Sequence, residues 1–470
     1  MLPLTARAAA TWEAIRASYW FIPSLMTLGA AVLSVVLINV DVRVGAEWIR
    51  DVPFFYGNRP DGARAVLGTI AGSMIGVAGV TFSITIASVA YASGQYGPRL
   101  LVNFMDDRGN QVTLGTFIAT FLYCLLVLRT IRAAGEGDAA IGEFVPHIAI
   151  LVGLALAVAS VGVLIFFIHH VPESIHVSNL VAGVGRDLLG KVDTLFPERI
   201  GEGEPAAEAG GAAPGSPLPD GFYDDAERVA ADGAGYVTGI DADAILRLAC
   251  EHDLLLRVRR RPGDFVAGGD TLVLAWPPDR VTDEVRGTIR TAFAWGAQRT
   301  AHQDVRFLID ELVEIAARAL SPGVNDPFTA IACVDWLGAA LKDLAERRFP
   351  PAERHDDDGR LRVVAHPTTF EQFVGRAFGQ LRPYLASDRN ATLHALRVVG
   401  ETAGRVAADG QRAALRHEAD AILDGAEATL ALEADRRLVR RRHAEVTRLL
   451  AGRVGFEALA ERADWVGGTA

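Results

Sequence analysis

Apolar and polar positions follow two different patterns along this chain, and the change between them marks its main division. Over the first part the apolar positions run together. Four such runs, at about residues 19–40, 64–91, 112–131 and 145–168, can each cross the ~30 Å hydrocarbon core of a bilayer, which takes a helix of about 20 residues. The fourth is the clearest, because no residue between Glu143 and Glu173 carries a formal charge at neutral pH. From Leu180 onward, apolar positions recur at helix or strand spacing with charges between them, as in a water-soluble fold. The pattern predicts a mainly α membrane protein: a four-helix transmembrane unit over residues 1–180, then a soluble α+β region.

The connections follow from the same reading. Residues 1 to 18 form a short amphipathic lead with Trp12, Ile15 and Arg16, and Tyr19 and Trp20 open the first span where aromatic rings favour the interface. The loop from Asp41 to Ala63 carries Trp48, Phe54, Phe55 and Tyr56, a composition suited to lying against headgroups. Gly97 and Pro98 break the chain into a hinge before the third span, and a short acidic loop precedes the fourth.

Past the spans, residues 181–200 predict a connecting helix. Residues 201–222, rich in Gly, Ala and Pro, predict a disordered linker. Residues 223–279 read as a small β-rich module with one helix, Asp241 standing at its N-cap. Its G-x-V followed by PGDFV-x-x-GD-x-L resembles the barrel-sandwich modules of the biotinyl and lipoyl type, but no lysine stands in the turn where those carriers are modified. Residues 280–470 predict a helical soluble domain, entered through the amphipathic stripe Val305, Leu308, Ile309, Leu312, Ile315, Ala316 and Ala319.

Composition and charge narrow the classes. At 470 residues the chain holds roughly two or three domains. A net charge of −11 argues against a nucleic-acid partner, which needs a basic surface. Cys124, Cys250 and Cys333 stand far apart, as free thiols do in a reducing compartment. Arginine and lysine near the spans are tied between the two sides: Arg7, Arg16, Arg99, Arg108, Arg186 and Lys191 against Arg43, Arg50, Arg59, Arg64, Arg129 and Arg132. The thiols and the missing export signal favour cytoplasmic termini on an inner-membrane protein.

Candidate chemistry is sparse. Wound at 100° per residue, the second span puts Gly72, Gly76, Gly79 and Ser83 on one arc, a face for close helix packing, and Thr81, Thr85 and Ser88 on another. Those hydroxyls either bond back to their own helix or line a wet path. In an oligomer, Arg129 and Arg132 would form a cationic mouth to it. His169, Glu173 and His176 share a helical face that suits a metal or a proton shuttle, although Pro172 disturbs it; the alternative is side chains bonded to headgroups. In SPGVNDP, Ser321, Asn325 and Asp326 offer polar groups beside a helix N-terminus, yet each also serves as a stop, turn or cap. GRDLLGKV has the outline of a phosphate loop, but Val192 stands where a Ser or Thr would meet magnesium. The run RRLVRRRH suits a solvated helix face or contact with anionic lipid. Nothing pairs a nucleophile with a base, and no cofactor is implied.

With YASGQYGPRLL, IHHVPESIHVSNL and ALSPGVNDPFTA in order, the chain resembles the bacterial predicted membrane proteins grouped as domain of unknown function 2254. The resemblance implies N-terminal spans and a soluble C-terminal region, and carries no reaction or catalytic residue. Three readings follow: a homo-oligomeric pore or transport protein with a cytoplasmic regulatory region, a membrane-anchored sensor or scaffold binding a partner or small ligand, and a membrane-bound enzyme.

Overall fold

The computed structural model describes residues 18–44, 59–96, 107–133, 144–197, 218–461 and 465. The amphipathic lead up to residue 17, the aromatic loop between 45 and 58, the Gly97–Pro98 hinge, the acidic loop before Phe144 and the linker between 201 and 217 lie outside them. The chain forms two compact units, one ending at Asn179 and the other beginning at Leu180.

Among the described residues the membrane unit has four helices: α1 (Phe21–Val44), α2 (Pro60–Tyr96), α3 (Arg108–Leu128) and α4 (His147–Ile175). All four are long and apolar enough to cross a membrane. Helix α3 is the centre of the bundle, with 50% of its span enclosed against 17% for α1 and 22% for α4. Small residues decide where its neighbours approach. A Cβ on Gly115 would stand 2.7 Å from the Met26 sulfur and 3.1 Å from the Pro23 Cα, so α1 can reach α3 there only because Gly115 has no side chain.

Polar anchors fix the ends of the spans. Asp107 caps α3, accepting from the N–H groups of Gly109 (2.7 Å) and Asn110 (3.3 Å). Asp41, on α1, caps a different helix: its carboxylate accepts from the N–H groups of Ile148 and Ala149 at 2.9 Å each. Tyr123 donates to the Ala149 carbonyl at 2.8 Å, and Arg64 donates to the Ile131 carbonyl at 3.0 Å. Pro172 does not end α4, which runs on to Ile175. It sits in the last turns, where a missing N–H disturbs few further bonds.

In the soluble unit α5 (Val177–Leu195) runs in from the last span, and its Gly185 lies flat against the Trp336 ring. The strands β1 (Glu227–Ala230), β2 (Gly235–Ile240), β3 (Leu255–Val258), β4 (Phe265–Val266), β5 (Thr271–Trp276) and β6 (Phe293–Gly296) enclose α6 (Ala242–Glu251) and α7 (Asp283–Thr291). Helices α8 (Val305–Ala319) and α9 (Pro327–Ala345) follow, then β7 (Glu353–His355) and β8 (Leu361–Val364). The chain continues through α10 (Arg389–Ala403), α11 (Asp409–Thr429) and α12 (Glu433–Leu450). One sheet has the order β1-β5-β3-β8-β7 and the other β4-β2-β6. The larger sheet takes two strands from beyond residue 279: β8 pairs in parallel with β3 and brings Val363 and Val364 into the core. This covers an edge of β3 whose backbone groups would otherwise lack partners.

Candidate functional site in the membrane unit

Helix α2 has two faces with different surroundings. Ala63, Leu67, Ala71, Met74, Ala78, Thr81, Thr85 and Ser88 are all buried, at the three- and four-residue spacing of one helical stripe. Gly72, Gly76 and Gly79 lie on an exposed arc where an added Cβ meets none of the described residues within 4 Å. Among the described residues the glycine arc packs on no other helix, and close approach occurs at Gly109, Gly115 and Gly153 instead.

The hydroxyl stripe bonds to its own helix. Thr81 donates to the Ala78 carbonyl at 3.0 Å and Thr85 to that of Thr81 at 2.9 Å. Opposite the stripe stands α3. Phe117 packs with Met74 and Ala78 of α2, and the two helices are antiparallel, as the bond from Arg64 to Ile131 near their other ends requires. Two turns along α2 from Ala78 is Thr85, and two turns back along α3 from Phe117 is Asn110. Thr85 thus comes level with Asn110, and Thr81 with Thr113. Asn110 and Thr113 are each only 1% exposed, and among the described atoms neither amide atom of Asn110 nor the Thr113 hydroxyl has a hydrogen-bond partner.

At the N-terminal end of α3 a histidine and a carboxylate meet. The imidazole Nε2 of His170 on α4 lies 2.8 Å from one Asp107 oxygen and 3.0 Å from the other, and its ring stacks on Phe166 with centroids 4.9 Å apart. Tyr19, at the head of α1, is hydrogen-bonded to Thr85. Further along the two helices Phe117, Met74 and Ala78, with Val163 and Leu164 of α4 against them, form an apolar layer. Along α3 the polar positions from Asp107 to that layer cover about 10 residues, or ~15 Å of helix at 1.5 Å per residue.

The other sequence candidates are placed less favourably. His169 and Glu173 come within 3.4 Å but both are well exposed, and His176 leaves the helix as its extended C-cap, so the three do not share one face. His170, in the same cluster but off the face that the spacing picks out, instead meets the Asp107 carboxylate of α3. Arg129 and Arg132 are exposed at the far end of α3, where the Arg132 backbone bridges to Phe144. Ser321 donates to the Arg318 carbonyl, Asp326 accepts from the N–H and hydroxyl of Thr329, and Asn325 takes a left-handed φ of 50°. What that loop offers outward is apolar: Phe328 is 74% exposed, and Val324 is exposed beside it. GRDLLGKV lies within the continuous helix α5 and makes no phosphate loop. In the basic run, Arg440 pairs with Glu427 and Glu433, Arg436 with Glu433, and Arg442 covers the Trp465 ring at 4.6 Å, so much of its charge is met within the protein.

Asn110, Thr113 and Asp107 were missed because DDRGNQ reads as a polar loop when taken alone. The signal available was spacing: Asn110, Thr113 and Phe117 share a stripe with the apolar residues that follow.

A family model described as "Predicted membrane protein (DUF2254)" matches residues 16–401, a stretch that includes all four spans and both sheets. The chain is similar to an uncharacterized protein of Mycobacterium bovis and to another of Mycobacterium tuberculosis. Each is 31% identical over 441 residues, which is 92% of this chain and 81% of the relative. No solved structure matches it.

Proposed function

The chain belongs to the DUF2254 family of predicted membrane proteins, and from that premise we propose that it is a homo-oligomeric transport or pore-forming protein of the inner membrane. Its membrane unit moves a small polar solute or ion along Thr81, Thr85 and Ser88, and its soluble unit, on the cytoplasmic side with both termini, regulates that movement. The observation that carries this reading is the pair Asn110 and Thr113, buried without hydrogen-bond partners among the described atoms. An unpaired amide or hydroxyl in an apolar setting costs about 1–3 kcal/mol. An inert anchor gains stability by replacing such groups with leucine or valine, whereas a polar lane requires them. The open glycine arc of α2 supports self-association, since small residues are where helices approach closely in lipid.

Flux through purified protein in liposomes tests the proposal. Thr85→Leu removes the hydroxyl that stands level with Asn110 and is expected to reduce flux at least tenfold. If wild-type protein passes no small ion or solute under varied pH and voltage, the transport reading falls. The membrane-anchored sensor or scaffold then takes its place, a reading that the exposed Val324 and Phe328 of the soluble unit favour as a partner-binding surface.

A further inference from the structure

We propose that Arg257, Arg259, Arg261 and His366, gathered at one end of the larger sheet of the soluble unit, bind the phosphate group of an anionic ligand. The site stands independently of the transport reading, since none of its residues belongs to the membrane unit.

Strand register brings the four together. Arg257, on β3, pairs with Val364 of the parallel strand β8, and paired residues of neighbouring strands share a face about 4.8 Å apart. The Arg259 N–H donates to the Leu272 carbonyl at 2.8 Å, so β3 continues its alternation alongside β5 and turns Arg259 to the face of Arg257. Arg260, which alternation turns to the opposite face, meets Asp270 at 3.0 Å. The guanidinium of Arg261 donates to Oε1 of Gln372 at 3.1 Å, and the same oxygen accepts the Thr369 N–H at 3.4 Å. The segment from Val364 to Thr369 thus runs from beside Arg257 to beside Arg261, with His366 between them.

What the cluster lacks is negative charge. Among the described residues no carboxylate pairs with the side chain of Arg257, Arg259, Arg261 or His366: Arg257 lies over the neutral Tyr223 ring at 4.9 Å, and Arg261 meets a neutral amide. Other arginines of the soluble unit are met, as Arg299 is by Asp304 and Asp310, and Arg362 by Asp253 and Asp356. Here like charges press on one another. Burial and then Arg259 hold Arg257 below its ordinary pKa. Burial and then Arg306 do the same to Arg261, against a smaller opposing effect of Asp264. Burial, followed by Arg257 and Arg261, keeps His366 below its own, so that it is uncharged at pH 7. Crowding of this kind on partly buried side chains costs stability until an anion relieves it.

The donor set selects phosphate. Guanidinium groups present planar forks of N–H donors that match phosphate oxygens, and neutral His366 adds one N–H without a further charge. One carboxylate satisfies one such fork, whereas a phosphate has oxygens enough for several.

The site is tested on the full chain in a maltoside detergent, by thermal unfolding at pH 7 and constant ionic strength with chloride replaced stepwise by inorganic phosphate. A ligand bound only by the folded state raises Tm by mass action, and a saturable rise on the order of 5 °C is expected. Arg257→Gln and Arg261→Gln should abolish it. Arg259→Gln decides if those variants fail to fold, since the Arg259 side chain is exposed and bonds to no described residue. It should weaken phosphate binding at least tenfold and leave the Tm in chloride equal to or above that of wild type, because it removes a repulsion and no bond. A second titration uses a short-chain phosphatidylglycerol: saturation below the concentration that inorganic phosphate needs identifies a lipid headgroup as the source, and saturation above it a soluble phosphate compound. No rise with either ligand overturns the proposal, as does a rise that grows without saturating, the mark of a general salt effect. A saturable rise unchanged by Arg259→Gln overturns it too, and a lower Tm of that variant in chloride would give Arg259 a structural role instead.

Discussion

His170, near the end of α4, holds its imidazole Nε2 2.8 Å from the carboxylate of Asp107, the residue that caps α3. The bond ties the start of α3 to the last turns of α4. It exists only because Gly109 lies between them: a Cβ there would stand 2.6 Å from Nε2 of His170 and 2.9 Å from an Asp107 oxygen. Gly109→Ala should therefore separate the pair. Asp107→Ala removes the bond and the cap together, a loss of about 0.5–2 kcal/mol for the cap alone. Both variants are expected to lower the Tm of the purified protein and to raise amide exchange in the first turn of α3. A Gly109→Ala protein as stable as wild type would show that the pair plays no part in holding those ends.

The glycines of α2 and α3 should respond oppositely to enlargement. Gly76 faces open space among the described residues, so Gly76→Leu is expected to leave the subunit fold intact and, if the arc meets a second copy, to abolish self-association. Gly115 faces the Pro23 backbone at 3.1 Å, which cannot yield as a flexible side chain can, so Gly115→Leu should unfold the membrane unit. Light scattering and cross-linking in mild detergent read the first effect, and thermal unfolding the second. An unchanged oligomer in Gly76→Leu sinks the role given to the glycine arc.

The spans were legible because length and apolar content suffice to recognise a membrane helix, and their ends were not. Helix α2 begins at Pro60 and not near Arg64, since proline fits the first position of a helix. The hydroxyl and glycine faces of α2 were legible too, because winding the sequence separates them, but winding cannot say which face has a neighbour. Gly115 and Gly153 carry the close approaches singly, with no stripe to announce them. Asn110, buried on α3, is hidden in a stretch whose polarity resembles a loop. In the soluble unit, β8 pairs with β3 across more than 100 residues of chain, and no local period marks that pairing.

Cys250 gives a direct report of sidedness. It is exposed, whereas Cys124 and Cys333 are buried and burial pushes the Cys333 thiol far above its usual range, so a maleimide reagent reacts first at Cys250. With the soluble unit in the cytoplasm, an impermeant maleimide should leave the protein unlabelled in intact cells and modify it once the membrane is opened. Labelling in intact cells that Cys250→Ser abolishes would reverse the orientation.

The last expectation concerns acid and the soluble sheet. Arg362, on β8, donates to Asp253 at 2.6 Å and to Asp356 at 2.7 Å, and it is itself buried. These bonds hold both carboxyls below the usual carboxylate range: Asp253 through Arg362 and then Arg280, Asp356 through Arg362 and then the Arg360 N–H. A carboxyl whose pKa is depressed by folding adds stability that is fully present above its unfolded pKa, near 4. As pH falls through the folded value both groups take up protons, and that stability is lost. The amides of β8 should accordingly stay protected from exchange at pH 7 and lose protection as the pH drops below about 4. Arg362→Met, similar in length but uncharged, should weaken the protection at pH 7 and flatten the acid step, because neither carboxyl then has the partner that lowered it. An acid step of the same size and midpoint in the variant would mean that other carboxylates govern the strand, and that Arg362 serves only to fill the space between β8 and its neighbours.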